Sequence, residues 1–150
     1  MMIAVIKALL DACYQAKRVR ELLPALPNGV TPAYIQYLDT IETLERRGVQ
    51  VKISDISDAL NIPRPGVTRT VKDMEDDGYL KKTASVIDGR ITYLSVTDAG
   101  RKLSRTYNDQ FFSQLAPLLT DISQEDAKCT IRTIEKLYRV MSERRITLEY

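Results

Sequence analysis

The sharpest charge pattern of the sequence lies in residues 61–90, NIPRPGVTRTVKDMEDDGYLKKTASVIDGR. Its first part carries Arg64, Arg69 and Lys72 with no acid between them, and four carboxylates follow within residues 73–77. Arginine matches the two acceptors that guanine presents in the major groove, and cations of either type can contact phosphate. The pattern therefore predicts a helix whose first turns approach DNA while its last turn points away.

Neighbouring residues suit the same chemistry. Pro65 costs little in a first helical turn, Gly66 lets the backbone approach a partner closely, and Thr68 can contact a thymine methyl group or a phosphate. Arg90 follows an Asp-Gly turn, from which it could enter a narrow minor groove. The predicted DNA-contacting residues are Ser54, Arg64, Pro65, Gly66, Thr68, Arg69, Lys72, Lys81, Lys82 and Arg90. The competing interpretation is a solvated helix face beside an ordinary turn, because short cation clusters are common on helices.

The composition of the chain argues against functions other than nucleic-acid binding. The chain has 150 residues, 44% of them hydrophobic, and a net charge of only +2, so nucleic-acid binding would have to depend on local patches. Histidine is absent, which removes the commonest metal ligand and acid–base residue. There is no glycine-rich phosphate loop or nucleophile motif, and the acids of MEDDGY suit a solvated helix end. We expect neither an enzyme nor a cofactor or metal site.

Cysteine usage and the first residues indicate the compartment. Cys13 and Cys129 are far apart and outside any Cys-x-x-Cys pair, so both are interpreted as small core residues in a reducing compartment. Lys7 and Asp11 interrupt the apolar start, which makes a signal peptide improbable, and no stretch approaches a membrane span. The expected location is cytoplasmic.

The helices and strands that would position these residues are predicted from the spacing of apolar residues along the chain. Apolar spacing predicts six helices, beginning near Ile3, Pro32, Asp55, Arg64, Asp98 and Gln124. Their predicted N-caps are Thr31, Ser54, Thr97 and Ser123. The segments YLKK and ITYLSV alternate and are separated by an Asp88-Gly89 turn, which predicts a tight hairpin. Two helices joined by a short turn and followed by a hairpin form a winged helix-turn-helix. The fold class is thus mainly α (α+β).

Three motifs carry a resemblance to a known family. Val-Thr-Arg stands at 67–69, Asp-Gly-Arg at 88–90, and Val-Thr-Asp-Ala-Gly at 96–100. In these motifs and in length the chain resembles the MarR family of transcription regulators. The resemblance implies a homodimeric repressor that binds a near-palindromic operator in double-stranded DNA. It also implies an N-terminal dimerisation helix in 1–30, a DNA-binding domain in 31–98, and C-terminal dimerisation helices in 99–150.

A second resemblance concerns metal. The stretch from Tyr34 to Leu80 is also similar to the iron- and manganese-dependent repressors, which bind metal through histidines and acids. Because this chain lacks histidine, we reject metal dependence.

The MarR resemblance also implies an effector site. A small aromatic or lipophilic ligand would lie among Tyr14, Arg18, Tyr34 and Tyr37, and would release the DNA. The alternative, favoured by helical spacing, is that the tyrosines serve packing. One branch of the family senses peroxide through a first-helix cysteine, which Cys13 would match. Its place on an apolar stripe favours a structural thiol instead.

Two functions of other classes stay open at this point. One is a winged helix that contacts proteins in a transcription or chromosome-organising complex, and the other is an enzyme. An exposed apolar patch near the recognition helix would favour protein contact, whereas the cations found there favour DNA.

Overall fold

The computed structural model describes the whole chain, Met1–Tyr150. It divides into two compact units, one of Met1–Pro24 with Leu115–Tyr150 and the other of Ala25–Gln114. The α-helices are α1 (Ile3–Glu21), α2 (Pro32–Arg46), α3 (Ile53–Leu60), α4 (Arg64–Asp76), α5 (Asp98–Arg105), α6 (Ser113–Leu115) and α7 (Gln124–Glu143). A π-helix, Thr106–Phe112, and a 3-10 helix, Ala116–Leu118, flank α6, and the strands are β1 (Leu80–Ala84) and β2 (Thr92–Val96).

The core of the second unit, called the winged-helix unit below, is built from one face of each element. In α4 the buried residues are Val67, Val71 and Met74, which recur at helical spacing. The core also takes five residues of α2 and one of α3. Leu80, Leu94 and Val96 close it from the hairpin. Since the apolar side of α4 faces inward, its cations are left on the outside.

The hairpin is confirmed, but its turn differs from the prediction. The strands pair antiparallel from Leu80↔Val96 to Ala84↔Thr92, so seven residues, 85–91, connect them. The turn centres on Gly89 and Arg90, since the Ile91 N–H donates to the Asp88 carbonyl over 2.9 Å. Gly89 lacks the positive φ that a tight Asp-Gly turn needs. The prediction of a tight Asp88-Gly89 turn was therefore wrong.

A third extended residue joins the hairpin. The Leu94 N–H donates to the carbonyl of Val51 over 2.7 Å, and the two residues form an isolated antiparallel bridge. Val51 is buried, so the segment between α2 and α3 is fixed to the wing.

Three of the four predicted N-caps are confirmed in position, and two of them also form the side-chain hydrogen bond. Thr97 accepts a hydrogen bond from the Gly100 N–H over 3.1 Å, and Ser123 accepts one from the Asp126 N–H over 3.0 Å. Thr31 occupies the predicted N-cap position directly before Pro32 and is extended, but its side chain makes no cap hydrogen bond. Ser54 lies inside α3, because the Asp55 carboxylate accepts from the Lys52 N–H over 2.8 Å and moves the helix start earlier.

The helix predicted to begin near Asp98 is continued by further helical segments as far as Leu118, but it is not uniform. Its middle, Thr106–Phe112, is π-helical, where a single α-helix was predicted. Within it the Asn108 amide donates to the Asp39 carboxylate over 2.8 Å and to the Ser104 hydroxyl over 3.2 Å. The wider helical turn accompanies this polar connection to α2.

The first unit lacks a buried interior. Neither α1 nor α7 contains a buried residue. Its exposed apolar residues include Ile3, Val5, Ile6, Leu10, Ile131, Ile134, Tyr138 and Met141. In a separate observation, no helix of the chain combines the length and apolar character required to cross a membrane.

Candidate nucleic-acid interface

The predicted base-reading residues all lie exposed on α4. Arg64 occupies its first position, and Arg69 and Lys72 follow on the side away from the core. Val67 and Val71, the residues between them in the chain, are fully buried and hold the helix against the unit. A surface of this kind presents cations on a rigid support, as a recognition helix requires.

The late carboxylates of α4 have structural partners that the sequence did not reveal. Glu75 forms an ion pair of 2.8 Å with Lys82 on β1. The carboxylate of Asp77 accepts a hydrogen bond of 2.9 Å from the Tyr34 hydroxyl on α2. Burial and this hydrogen bond raise the pKa of Tyr34 to about 12. Two of the four acids thus fasten the end of α4 to the wing and to α2.

The beginning of α4 has an exposed backbone at Pro65 and Gly66, and the Thr68 hydroxyl is hydrogen-bonded within the helix. Pro65 and Gly66 are both exposed, and a Cβ atom added at Gly66 would meet only Ile62 Cγ2, at 3.5 Å. The Thr68 hydroxyl donates to the Arg64 carbonyl over 2.9 Å. Its hydrogen is therefore used within the helix, and Thr68 offers a partner its methyl group and oxygen lone pairs.

On the wing, Asp88 holds Arg90. One carboxylate oxygen accepts from the Arg90 backbone N–H over 3.0 Å and from Nε over 3.1 Å, and the other accepts from a terminal guanidinium nitrogen over 3.3 Å. The side-chain hydrogen bond from Arg90, with the backbone bond second, lowers the pKa of Asp88. The Arg90 side chain remains 92% exposed, and its guanidinium has further N–H groups free to donate.

The remaining predicted contacts are less uniform. Lys81 and Lys82 are consecutive on β1 and so point to opposite faces of the ribbon. Lys82 is paired with Glu75, whereas Lys81 is exposed. Ser54 is half-buried in the first turn of α3, apart from the α4 cations in sequence and element.

The four residues predicted to line an effector pocket fall into both units. Tyr34 and Tyr37 are 5% and 2% exposed and belong to the core of the winged-helix unit. Tyr14 is exposed on α1, and Arg18 on the same helix donates to Gln15 over 3.3 Å. The burial of Tyr34 and Tyr37 favours the packing interpretation for these two residues.

Cys13 is half-buried in the first unit, where it lines a groove with Leu10, Ile134 and Leu137. Cys129 on α7 is exposed rather than a core residue. Its helix contains no buried residue, so the prediction that Cys129 is a core residue was wrong.

Comparison with known proteins agrees with this geometry. The family model described as MarR family matches residues 28–91. The chain is 25% identical over 127 residues to the uncharacterized HTH-type transcriptional regulator YdgJ of Bacillus subtilis (strain 168), which covers 85% of this chain and 77% of that protein.

Two solved structures show the same fold. The MarR/EmrR family transcriptional regulator from Acinetobacter sp. ADP1 has a TM-score of 0.68 and 17% identity, and the alignment covers 96% of this chain and 100% of that one. Streptococcus pneumoniae FabT in complex with DNA has a TM-score of 0.66 and 19% identity, with 95% and 99% covered. Together with the winged helix and the motifs at 67–69 and 88–90, these matches show that the chain is similar to the MarR family of transcription regulators.

Proposed function

We propose that the protein is a homodimeric, sequence-specific transcription repressor that binds a near-palindromic site in double-stranded DNA. Helix α4 would lie in the major groove and the wing in the minor groove. The observation that carries the proposal is the exposed row of Arg64, Arg69 and Lys72 on α4, combined with late acids that are tied to Lys82 and Tyr34. The positive surface is thereby concentrated at the helix end that enters a groove first.

The wing supplies a second, different contact. Arg90 is exposed at the tip, and its guanidinium is oriented by Asp88. The negative potential of a narrow minor groove attracts such a side chain without reading a unique base pattern. Arg90 would therefore add affinity and shape preference, while Arg69 would supply base discrimination.

Dimerisation is supported by the first unit. Because neither α1 nor α7 buries a residue, their apolar sides need a partner surface, and a second copy of the chain supplies one by two-fold symmetry. The two copies of α4 in the dimer would then bind DNA half-sites about one helical turn apart. The winged-helix unit extends to Gln114, so dimer contacts are assigned to Met1–Pro24 and Leu115–Tyr150 rather than to all of 99–150.

Repression is the simplest consequence of such binding, because an occupied operator excludes other proteins from the same DNA. The proposal places the protein in the cytoplasm with the chromosome. An effector pocket built on Tyr14, Arg18, Tyr34 and Tyr37 has less support than DNA binding, since two of its four residues are core residues.

One observation favours a second candidate, a winged helix that contacts protein. Val86 and Ile87 at the wing tip are fully exposed, which is the apolar patch that such a module would need. The neighbouring Arg90 and the α4 cations are the reason that DNA remains the leading proposal.

The test is selection of bound sequences from a random double-stranded DNA pool, followed by binding at several salt concentrations. A two-fold symmetric motif with half-sites about one turn apart is expected. Arg69→Ala should lose that selectivity, whereas Lys102→Ala, which removes an equal exposed charge on α5, should retain it. Weak, salt-sensitive binding without any enriched motif would contradict sequence-specific regulation.

A further inference from the structure

The wing tip carries two aliphatic side chains that the fold does not use. Val86 and Ile87 have relative exposures of 102% and 98%. The other exposed large apolar residues of the winged-helix unit, Val49 and Phe112, are at 36% and 45%. Single exposed apolar residues are ordinary, but an adjacent pair beside two short strands favours unwanted association. Its presence therefore indicates a contact surface.

The tip presents this pair on a defined backbone. The Ser85 hydroxyl accepts hydrogen bonds from the N–H groups of Ile87 and Asp88, at 3.2 and 3.3 Å. The Ser85 N–H donates to the Ile91 carbonyl over 2.8 Å. Because the N–H groups of Ser85, Ile87 and Asp88 are bonded within the tip, a partner can cover the two side chains without leaving these three donors unpaired.

The charges around Val86 and Ile87 indicate which kind of partner covers these two side chains. Asp88 is the one acid of residues 85–91, and its carboxylate is occupied by hydrogen bonds from Arg90, whose guanidinium projects into solvent. The apolar pair is thus accompanied by a cation, and the same unit carries the exposed cations of α4. DNA satisfies both features, since its phosphates attract the cations and its minor groove has apolar sugar walls and stacked bases.

We propose that Val86 and Ile87 form an apolar wedge that enters the minor groove beside Arg90 and partly unstacks one base step. This inference rests on the proposed DNA binding. Apolar wedges of this kind kink the duplex toward the major groove. Pyrimidine–purine steps unstack most easily, so the wedge would favour TA or CA/TG on the outer side of each half-site without a hydrogen bond to any base.

The experiment uses the full chain and the operator obtained by pool selection. Dyes at the DNA ends report bending by energy transfer, and 2-aminopurine at the outer pyrimidine–purine step reports unstacking by its fluorescence. The variant is Val86→Ser/Ile87→Ser, which leaves the Ser85 and Asp88 hydrogen bonds in place. Val86→Leu/Ile87→Leu restores apolar volume, and Val49→Ser is the matched control outside the tip.

The serine variant should bind roughly tenfold to a hundredfold more weakly, with a smaller bend and no rise in 2-aminopurine fluorescence. The leucine variant should recover all three signals, and Val49→Ser should resemble the parent. A serine variant that keeps the parent's affinity and bend would overturn the wedge and favour a protein or membrane contact. Weaker binding with unchanged bend and fluorescence would also overturn it. A parent that selects no operator would refute the proposed function itself.

Discussion

The substitution Gly66→Ala, which adds one methyl group, should affect the stability of the fold and the affinity for DNA in opposite directions. Gly66 lies in the first turn of α4, is exposed, and would place a new Cβ atom 3.5 Å from Ile62, an ordinary contact. Alanine is a better helix former than glycine by about 0.5–1 kcal/mol. Gly66→Ala should therefore leave the fold intact and raise the free energy of unfolding by up to that amount, measured by urea denaturation.

DNA binding should change in the opposite direction. If the α4 backbone approaches a phosphate or base edge at Gly66, the methyl group forces the helix outward, at a cost of about 1–3 kcal/mol, near that of overpacking. A cost of about 1.4 kcal/mol corresponds to tenfold weaker binding. Asp76→Ala is the control, since it changes the far end of the same helix and should not weaken binding. Unchanged operator affinity of Gly66→Ala, measured by fluorescence anisotropy, would refute a close backbone approach.

Three further predictions concern other parts of the chain. Arg69→Ala should make the binding free energy for the selected operator less favourable by about 1–3 kcal/mol and relax the base preference at one position per half-site. Lys82→Ala should weaken binding by less, because Lys82 already pairs with Glu75. Quantitative binding to operator variants checks both expectations. Ile134→Asp should shift the protein to monomers while α7 remains helical, as sedimentation and circular dichroism would show; a persistent dimer would contradict the assigned surface. Tyr34→Phe should lower the free energy of unfolding by about 1 kcal/mol below pH 10 through loss of the bond to Asp77. That difference should shrink as pH rises from 10 to 12, because the folded state keeps the phenol protonated while the unfolded chain ionises first; a constant difference in parallel denaturation curves would count against it.

The features that were predictable from sequence depend on local periodicity. The stripe of Val67, Val71 and Met74, the caps at Thr97 and Ser123, and the paired strands each follow from residues close together in the chain. Such patterns determine which side of an element is buried, and therefore which cations are exposed.

The features that were missed depend on partners distant in sequence. Glu75 with Lys82 and Tyr34 with Asp77 join separate elements, and no local pattern distinguishes them from solvated charges. The wing is longer than predicted because the Ser85 hydroxyl stabilises its backbone, an option that an Asp-Gly pair alone does not exclude.

Gly100 illustrates how structure explains a motif that sequence only quoted. A Cβ atom there would collide with the Tyr79 carbonyl oxygen and crowd Val96 and Leu38. The glycine at the end of the 96–100 motif is therefore required for α5 to pack closely against the hairpin and α2. The motif alone does not show this, because the contacting residues Tyr79 and Leu38 lie outside it in the chain.

The central claim is that the early turns of α4 read bases in the major groove of a two-fold symmetric site. The most direct measurement is methylation interference on the selected operator, which probes guanine N7 in the major groove and adenine N3 in the minor groove. The proposal predicts two clusters of guanine interference about one helical turn apart, with adenine interference outside them where Arg90 enters, and loss of one guanine per cluster with Arg69→Ala. The absence of guanine interference, or a pattern unaffected by Arg69→Ala, would contradict it.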